Sequence, residues 1–110
     1  MNDNFDIVII GGGTAGLILA RELGKSKRKT LILDRKKDLL EFPFNTLGSF
    51  INFKYFDLTE DVVAQKIDTI TFRSKTFQRK VKSDLYILDK IKVHIEILNH
   101  LYGEYGLEEN

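Results

Sequence analysis

Six consecutive residues, Gly11-Gly12-Gly13-Thr14-Ala15-Gly16, and an acid eighteen positions beyond them, Asp34, have the types and spacing that suit chemistry. Gly11 permits a sharp turn, because a residue without Cβ adopts backbone angles that others avoid. Gly13 lets the main chain approach a pyrophosphate. Gly16 lies one helical turn further on the same face, where the missing side chain lets a helix lie close to the strand before it. The N–H groups near Gly13 to Ala15, at the positive end of a helix dipole, would receive phosphate charge. Asp34 can accept hydrogen bonds from ribose hydroxyls. The chemistry these residues suit is recognition of a dinucleotide.

Such residues work only if secondary elements hold them. Ile7-Val8-Ile9-Ile10 reads as a strand running into the glycines, and Leu31-Ile32-Leu33 as a second strand closing on Asp34-Arg35. The intervening pattern predicts a helix from Thr14 to Leu23. Strand, glycine turn, helix, strand and acid, in that order, are the sequence form of a βαβ dinucleotide-binding unit. A glycine-rich turn in another α/β protein would account for the glycines, but not for the agreement of all three features. Parallel strands are expected near residues 5–10 and 29–34, joined by a right-handed crossover. On the helix, Leu17, Ala20 and Gly24 share a face with Gly13 and Gly16, Arg21 and Glu22 point elsewhere, and Gly24 is placed to stop it.

The stretch from Asp6 through Ala20, with Leu31-Ile32-Leu33-Asp34-Arg35, resembles the FAD-dependent oxidoreductases with two dinucleotide-binding domains. Within them it is most similar to the geranylgeranyl reductase, lycopene cyclase and aromatic hydroxylase branch. The resemblance implies FAD as cofactor, with Gly11, Gly12, Gly13, Thr14, Ala15 and Gly16 around its pyrophosphate. It also places Asp34 on the adenosine ribose and Arg35 beside the adenine. Arg35 can equally begin a solvated turn, Arg35-Lys36-Lys37-Asp38. NAD(P) is the alternative cofactor; Arg35 could meet a 2′-phosphate, but Asp34 would repel it. The family's strand-to-helix step, where an arginine reaches the FAD, resembles Tyr86-Ile87-Leu88-Asp89-Lys90. Lys90 stands at that place, and a lysine offers a point charge without the planar fork of an arginine.

Composition bounds the remainder. One hundred and ten residues, 43% hydrophobic and 30% charged, suit one small globular domain, taken as residues 1–110. A net charge of +1 argues for neither nucleic acid nor acidic partners. The absence of cysteine excludes disulfides, thiol catalysis and cysteine metal sites. No signal peptide is read at the N-terminus, and the uncharged stretch Ile7 to Ala20 is too short and glycine-rich to span a bilayer. No transmembrane segment and a cytoplasmic location are expected.

Beyond the second strand the pattern is weaker. Lys25-Ser26-Lys27-Arg28-Lys29 reads as a solvated loop near a helix C-terminus rather than a nucleic-acid patch. Phe42, Phe44, Phe50, Phe53, Tyr55 and Phe56 crowd fifteen positions. They could line the flavin and substrate pocket, as the resemblance implies, or supply buried area. Thr59 can cap a short helix beginning with Glu60 and Asp61. Ile67 to Arg73 and Thr76 to Lys82 read as strands turning at Ser74-Lys75, a separate antiparallel layer, and Leu85 to Leu88 as another extended piece. Asp89 caps a final helix to about Tyr102, expected to cover the parallel sheet. Its apolar residues form two stripes: Ile91, Ile95, Leu98 and Tyr102, and nearly opposite them Val93 and Ile97. His94 and His100 read as ordinary helix residues.

The expected fold is thus α/β: a Rossmann-like βαβ FAD/NAD(P)-binding unit with a small antiparallel hairpin excursion and a C-terminal helix. The resemblance further implies a parallel strand starting near Tyr105-Gly106-Leu107, a substrate sheet and a Gly-Asp motif. None lies in the sequence, so the domain is expected to be incomplete and no residue is nominated as catalytic. The expected function is the FAD-binding N-terminal part of a flavin-dependent oxidoreductase. A non-catalytic nucleotide-binding or interaction module, or an inactive remnant, is the alternative. An isolated chain is expected to lack flavin and turnover. It should also self-associate or dock on a second chain, through its open sheet edge and through Val93 and Ile97.

Overall fold

The computed structural model describes residues 4–106 and is mixed α/β, with one parallel and one antiparallel sheet and two α-helices. The chain divides into two compact units. The first combines the residues up to Pro43 with those from Val93 onward, and the second is Phe44–Lys92.

In the first unit, β1 (Ile7–Ile10) and β2 (Thr30–Leu33) pair in parallel, with Ile7 opposite Thr30 and Ile10 opposite Leu33. Branched aliphatic side chains suit such a pleated surface. Helix α1 (Thr14–Lys25) connects the strands. The Asp6 carboxylate accepts from the Lys29 N–H at 2.9 Å, joining the segment before β1 to the one before β2. Ile9, Leu17 and Ala20 are buried, as are Val93, Ile97, Leu98 and Leu101 of the last helix.

Two expectations about α1 are corrected. The helix runs through Gly24 to Lys25, and the chain leaves it at Ser26, whose hydroxyl donates to the Leu23 carbonyl, and at Lys27 with φ +58°. Gly24 does not terminate the helix; a Cβ there would come within 2.7 Å of the Tyr105 ring. Arg21 does not point away from the core face either, being only 1% exposed.

The second unit is a three-stranded antiparallel sheet in the order β3 (Thr46–Ser49), β5 (Gln78–Asp89), β4 (Val63–Arg73). The hairpin is longer than its pattern suggested. Val63 already pairs with Leu88, and β5 absorbs the extended piece at Leu85 to Leu88. Bulges between Val63 and Gln65 and between Ile67 and Thr69 break the two-residue alternation, so the period is hard to read locally. The turn spans Ser74 to Phe77, with the Ser74 N–H donating to the Phe77 carbonyl at 2.8 Å.

The aromatic segment contains β3 and a 3₁₀ turn, Phe53–Phe56. Phe53 is buried, edge-on to Tyr86 with ring centroids 5.5 Å apart, whereas Phe44, Phe50 and Tyr55 are exposed. The segment as a whole is therefore not core. Thr59 precedes a second 3₁₀ turn, Glu60–Val62, but its side chain makes no capping bond.

Asp89 does cap α2 (Lys90–Gly103), accepting from the Lys92 N–H at 3.2 Å. The buried face of α2 is Val93, His94, Ile97, Leu98 and Leu101, while Ile91, Ile95 and Tyr102 are about two-fifths exposed. Val93 and Ile97, expected to lack a partner, are thus interior residues. On its parallel strands the first unit exposes Val8, Ile10 and Leu33. After α2 the Tyr105 ring sits against Gly24, and Gly106 has φ +68°. No strand follows α2 among the described residues, and Leu107 lies outside them.

Candidate functional site

The site is built at the carboxyl ends of β1 and β2. Gly11 leaves β1 with φ +105°, a conformation in which a Cβ would be strained, and its N–H donates to the Leu33 carbonyl at 2.7 Å. That bond ties the turn to the end of β2. The Gly12 N–H donates to Asp34 Oδ2 at 2.6 Å. A side chain at Gly12 would meet Leu39 at 2.5 Å and the Asp34 carboxylate at 3.2 Å.

Gly13 is the N-cap of α1, in extended backbone, and its carbonyl accepts from the Leu17 N–H at 2.9 Å. No side chain caps the helix. The first-turn amides of a helix have no intrahelical partner, so here they are donors for solvent or an anion. No atom lies within 4 Å of a Cβ built at Gly13. Gly16 is the opposite case. A Cβ there would collide with the Gly11 carbonyl oxygen and reach 3.3 Å from the Ile9 side chain. Ala15 stands between them in the first turn of α1.

Asp34 is half-buried beside this turn and is bonded through both oxygens, Oδ2 to the Gly12 N–H and Oδ1 to the Lys36 N–H at 2.7 Å. The Lys36 amide, then the Gly12 amide, hold its carboxyl below the usual value of 3.8, with help from the Lys36 and Arg35 charges. Each oxygen keeps a further lone pair, so the carboxylate can still accept from a ligand hydroxyl.

A lowered folded-state value means that Asp34 contributes stability above the unfolded value. That contribution is lost as pH falls through the folded one. In an NMR titration the Asp34 carboxyl is therefore expected to have its midpoint below 3.8, and the Gly12 amide shift should follow the same midpoint. A midpoint at or above the ordinary value would contradict the paired arrangement.

Ile10, Gly11, Leu33, Asp34, Arg35 and Lys36 line an open depression of about 620 Å³. That volume lies in the range of small-molecule sites, about 300–1,000 Å³. Arg35 is exposed at its rim, directly after the strand, and the Asp34–Lys36 bond closes a tight turn around it. Gly11, Gly12, Gly13, Thr14, Ala15, Gly16, Asp34 and Arg35 all belong to the first unit. Lys90 belongs to the second, where its N–H donates to the Asn45 carbonyl at 2.8 Å.

Sequence reasoning missed His94. It is fully buried, with Nε2 2.8 Å from Thr14 Oγ1 and Nδ1 3.3 Å from the Leu39 carbonyl oxygen. A carbonyl only accepts, so Nδ1 carries the hydrogen, and in the neutral ring Nε2 accepts from the Thr14 hydroxyl. The Phe42 ring packs on the imidazole with centroids 4.9 Å apart. The histidine thus fastens the first residue of α1 and the loop after β2 to the last helix. Its one available sequence signal was position, since it falls one residue from Val93 on the face of Ile97 and Leu101.

No helix among the described residues is long and apolar enough to cross a membrane. No protein-family model matches the chain. Over 38 residues the chain is 50% identical to pseudooxynicotine dehydrogenase of Pseudomonas sp. That stretch is 34% of this chain and 8% of the length of the relative.

Proposed function

We propose that this chain carries the FAD-binding N-terminal part of a flavin-dependent oxidoreductase, and that its β1–α1–β2 unit is Rossmann-like. The observation that carries the reading is the contrast within one turn. Gly11 takes a positive φ that favours glycine, and at Gly16 the Gly11 carbonyl leaves no room for a Cβ, whereas Gly13 has ordinary backbone angles and opens onto free space at an uncapped helix start. A turn built this way has room for a pyrophosphate against its amides. The partial likeness to a dehydrogenase supports the same class.

The residues fit the ADP portion of the cofactor. The first-turn amides of α1 would take phosphate charge. Asp34, held ionised by two amides, would accept from the adenosine ribose, and Arg35 would lie beside the adenine. His94 acts one step back, holding Thr14 and so the helix start. When bound, FAD would supply the redox chemistry, and the protein would supply binding and orientation.

The test is calorimetric titration of the whole chain with ADP, FAD and riboflavin. ADP and FAD are expected to bind competitively, and riboflavin, which lacks the ADP portion, to bind far more weakly. Asp34→Asn should weaken ADP on the order of tenfold or more, as expected for a lost hydrogen bond to a charged group. Riboflavin binding without ADP binding would refute the assignment of this site.

A further inference from the structure

The net charge of +1 conceals a segregated segment. Residues 69–82, the distal part of the β4–β5 hairpin, contain Arg73, Lys75, Arg79, Lys80 and Lys82 and no acid. None of the five makes an ion pair among the described residues. The nearest acids, Asp68 and Asp84, lie just outside the segment, each within 4 Å of Lys66. Every residue from 71 to 82 is exposed, and the exposed set includes large apolar side chains: Phe72 at 58%, Phe77 at 59% and Val81 at 38%.

The register sorts these side chains. Directly opposed residues of an antiparallel pair share a face. Thr69 and Lys82, Thr71 and Lys80, and Arg73 and Gln78 are opposed, giving one polar face with three cations. Ile70 and Val81, and Phe72 and Arg79, are opposed on the other face, which is apolar except for Arg79. Lys75 and Phe77 occupy the turn.

We infer that this hairpin is an interfacial arm that docks on an anionic lipid surface. The charge calls for an anionic partner, and the placement of the apolar groups selects which. A single-stranded nucleic acid is gripped by aromatic rings and cations that share one groove; here Arg79 is the one cation on the face of Phe72, and Arg73, Lys80 and Lys82 lie on the opposite face. A lipid interface accepts the observed arrangement. An apolar face sinks about 5–10 Å into the headgroup boundary, which leaves the cations behind it at the level of the phosphates. Lysine and arginine stems reach that level along the apolar surface.

The test is co-sedimentation of the whole chain with vesicles of phosphatidylcholine alone, and of phosphatidylcholine with phosphatidylglycerol at about two to one. Binding is expected to the mixed vesicles and not to the neutral ones. Lys80→Glu with Lys82→Glu should weaken it tenfold or more, an effect that shrinks in high salt. Phe72→Ser with Phe77→Ser should weaken it at low and high salt alike. All four positions are exposed, so the variants should keep the parent circular dichroism and melting temperature. Absence of vesicle binding would overturn the inference and leave the lysines as guards of open strand edges. So would equal binding to both vesicle types, retention of binding in the lysine variant, or release from mixed vesicles by an oligonucleotide that the arm binds more tightly.

Discussion

Gly16→Val is expected to destabilise the first unit by about 3 kcal/mol or more, the upper end for overpacking a close contact. The added Cβ would strike the Gly11 carbonyl oxygen. That oxygen cannot easily retreat. Gly11 is held at φ +105° and its N–H is bonded to the Leu33 carbonyl at 2.7 Å, so moving the turn breaks its tie to β2. Moving α1 instead would withdraw Leu17 and Ala20 from the core. Even Gly16→Ala should destabilise, although alanine is the better helix former by about 1 kcal/mol. Urea melts followed by circular dichroism measure the effect, with a midpoint well below the parent for both variants. A Gly16→Ala protein as stable as the parent would show that helix and turn are not in contact.

Gly13→Val should behave in the opposite way. Nothing lies within 4 Å of a Cβ at this position, and its backbone, φ −78° and ψ −173°, is one that a branched residue adopts readily. Stability should therefore fall by only about 1 kcal/mol, the cost of an apolar residue at a helix N-cap. If the open space is where a pyrophosphate meets the helix amides, the isopropyl group would occupy it. ADP affinity is then expected to fall on the order of 100-fold, equivalent to about 2.8 kcal/mol. Calorimetry and a urea melt on the same preparation separate the two quantities. Unchanged ADP affinity in a normally folded Gly13→Val protein would mean that the nucleotide does not use this turn. On the proposed function, the two glycines, three residues apart, would divide the demands of the turn between folding and ligand access.

The β1–α1–β2 region was legible because its determinants are close neighbours in the chain. Branched aliphatics, a glycine where φ turns positive and an acid at the strand end each act over a few residues, and Asp89 caps α2 across three. These are constraints of backbone sterics and local hydrogen bonding, which a string of residue types displays directly. Gly24 shows where that reading fails. A glycine late in a helix satisfies the local rule for a stop, yet its reason is the Tyr105 ring, brought to it from the far end of the chain. Bulges hid the length of β4 and β5, and β3 owes its place to pairing with Tyr86 to Asp89 across a long separation.

The sequence by itself determined the order of strand, turn and helix, the glycines the turn requires and the acid beside it. Tertiary structure alone decided which of the two apolar stripes of α2 is interior, that Arg21 is buried, and that His94 meets Thr14 across eighty residues. Periodicity states that a face is apolar, but burial is a property of whatever packs against it. A hydrogen bond between distant residues exists only after the chain has closed the loop between them.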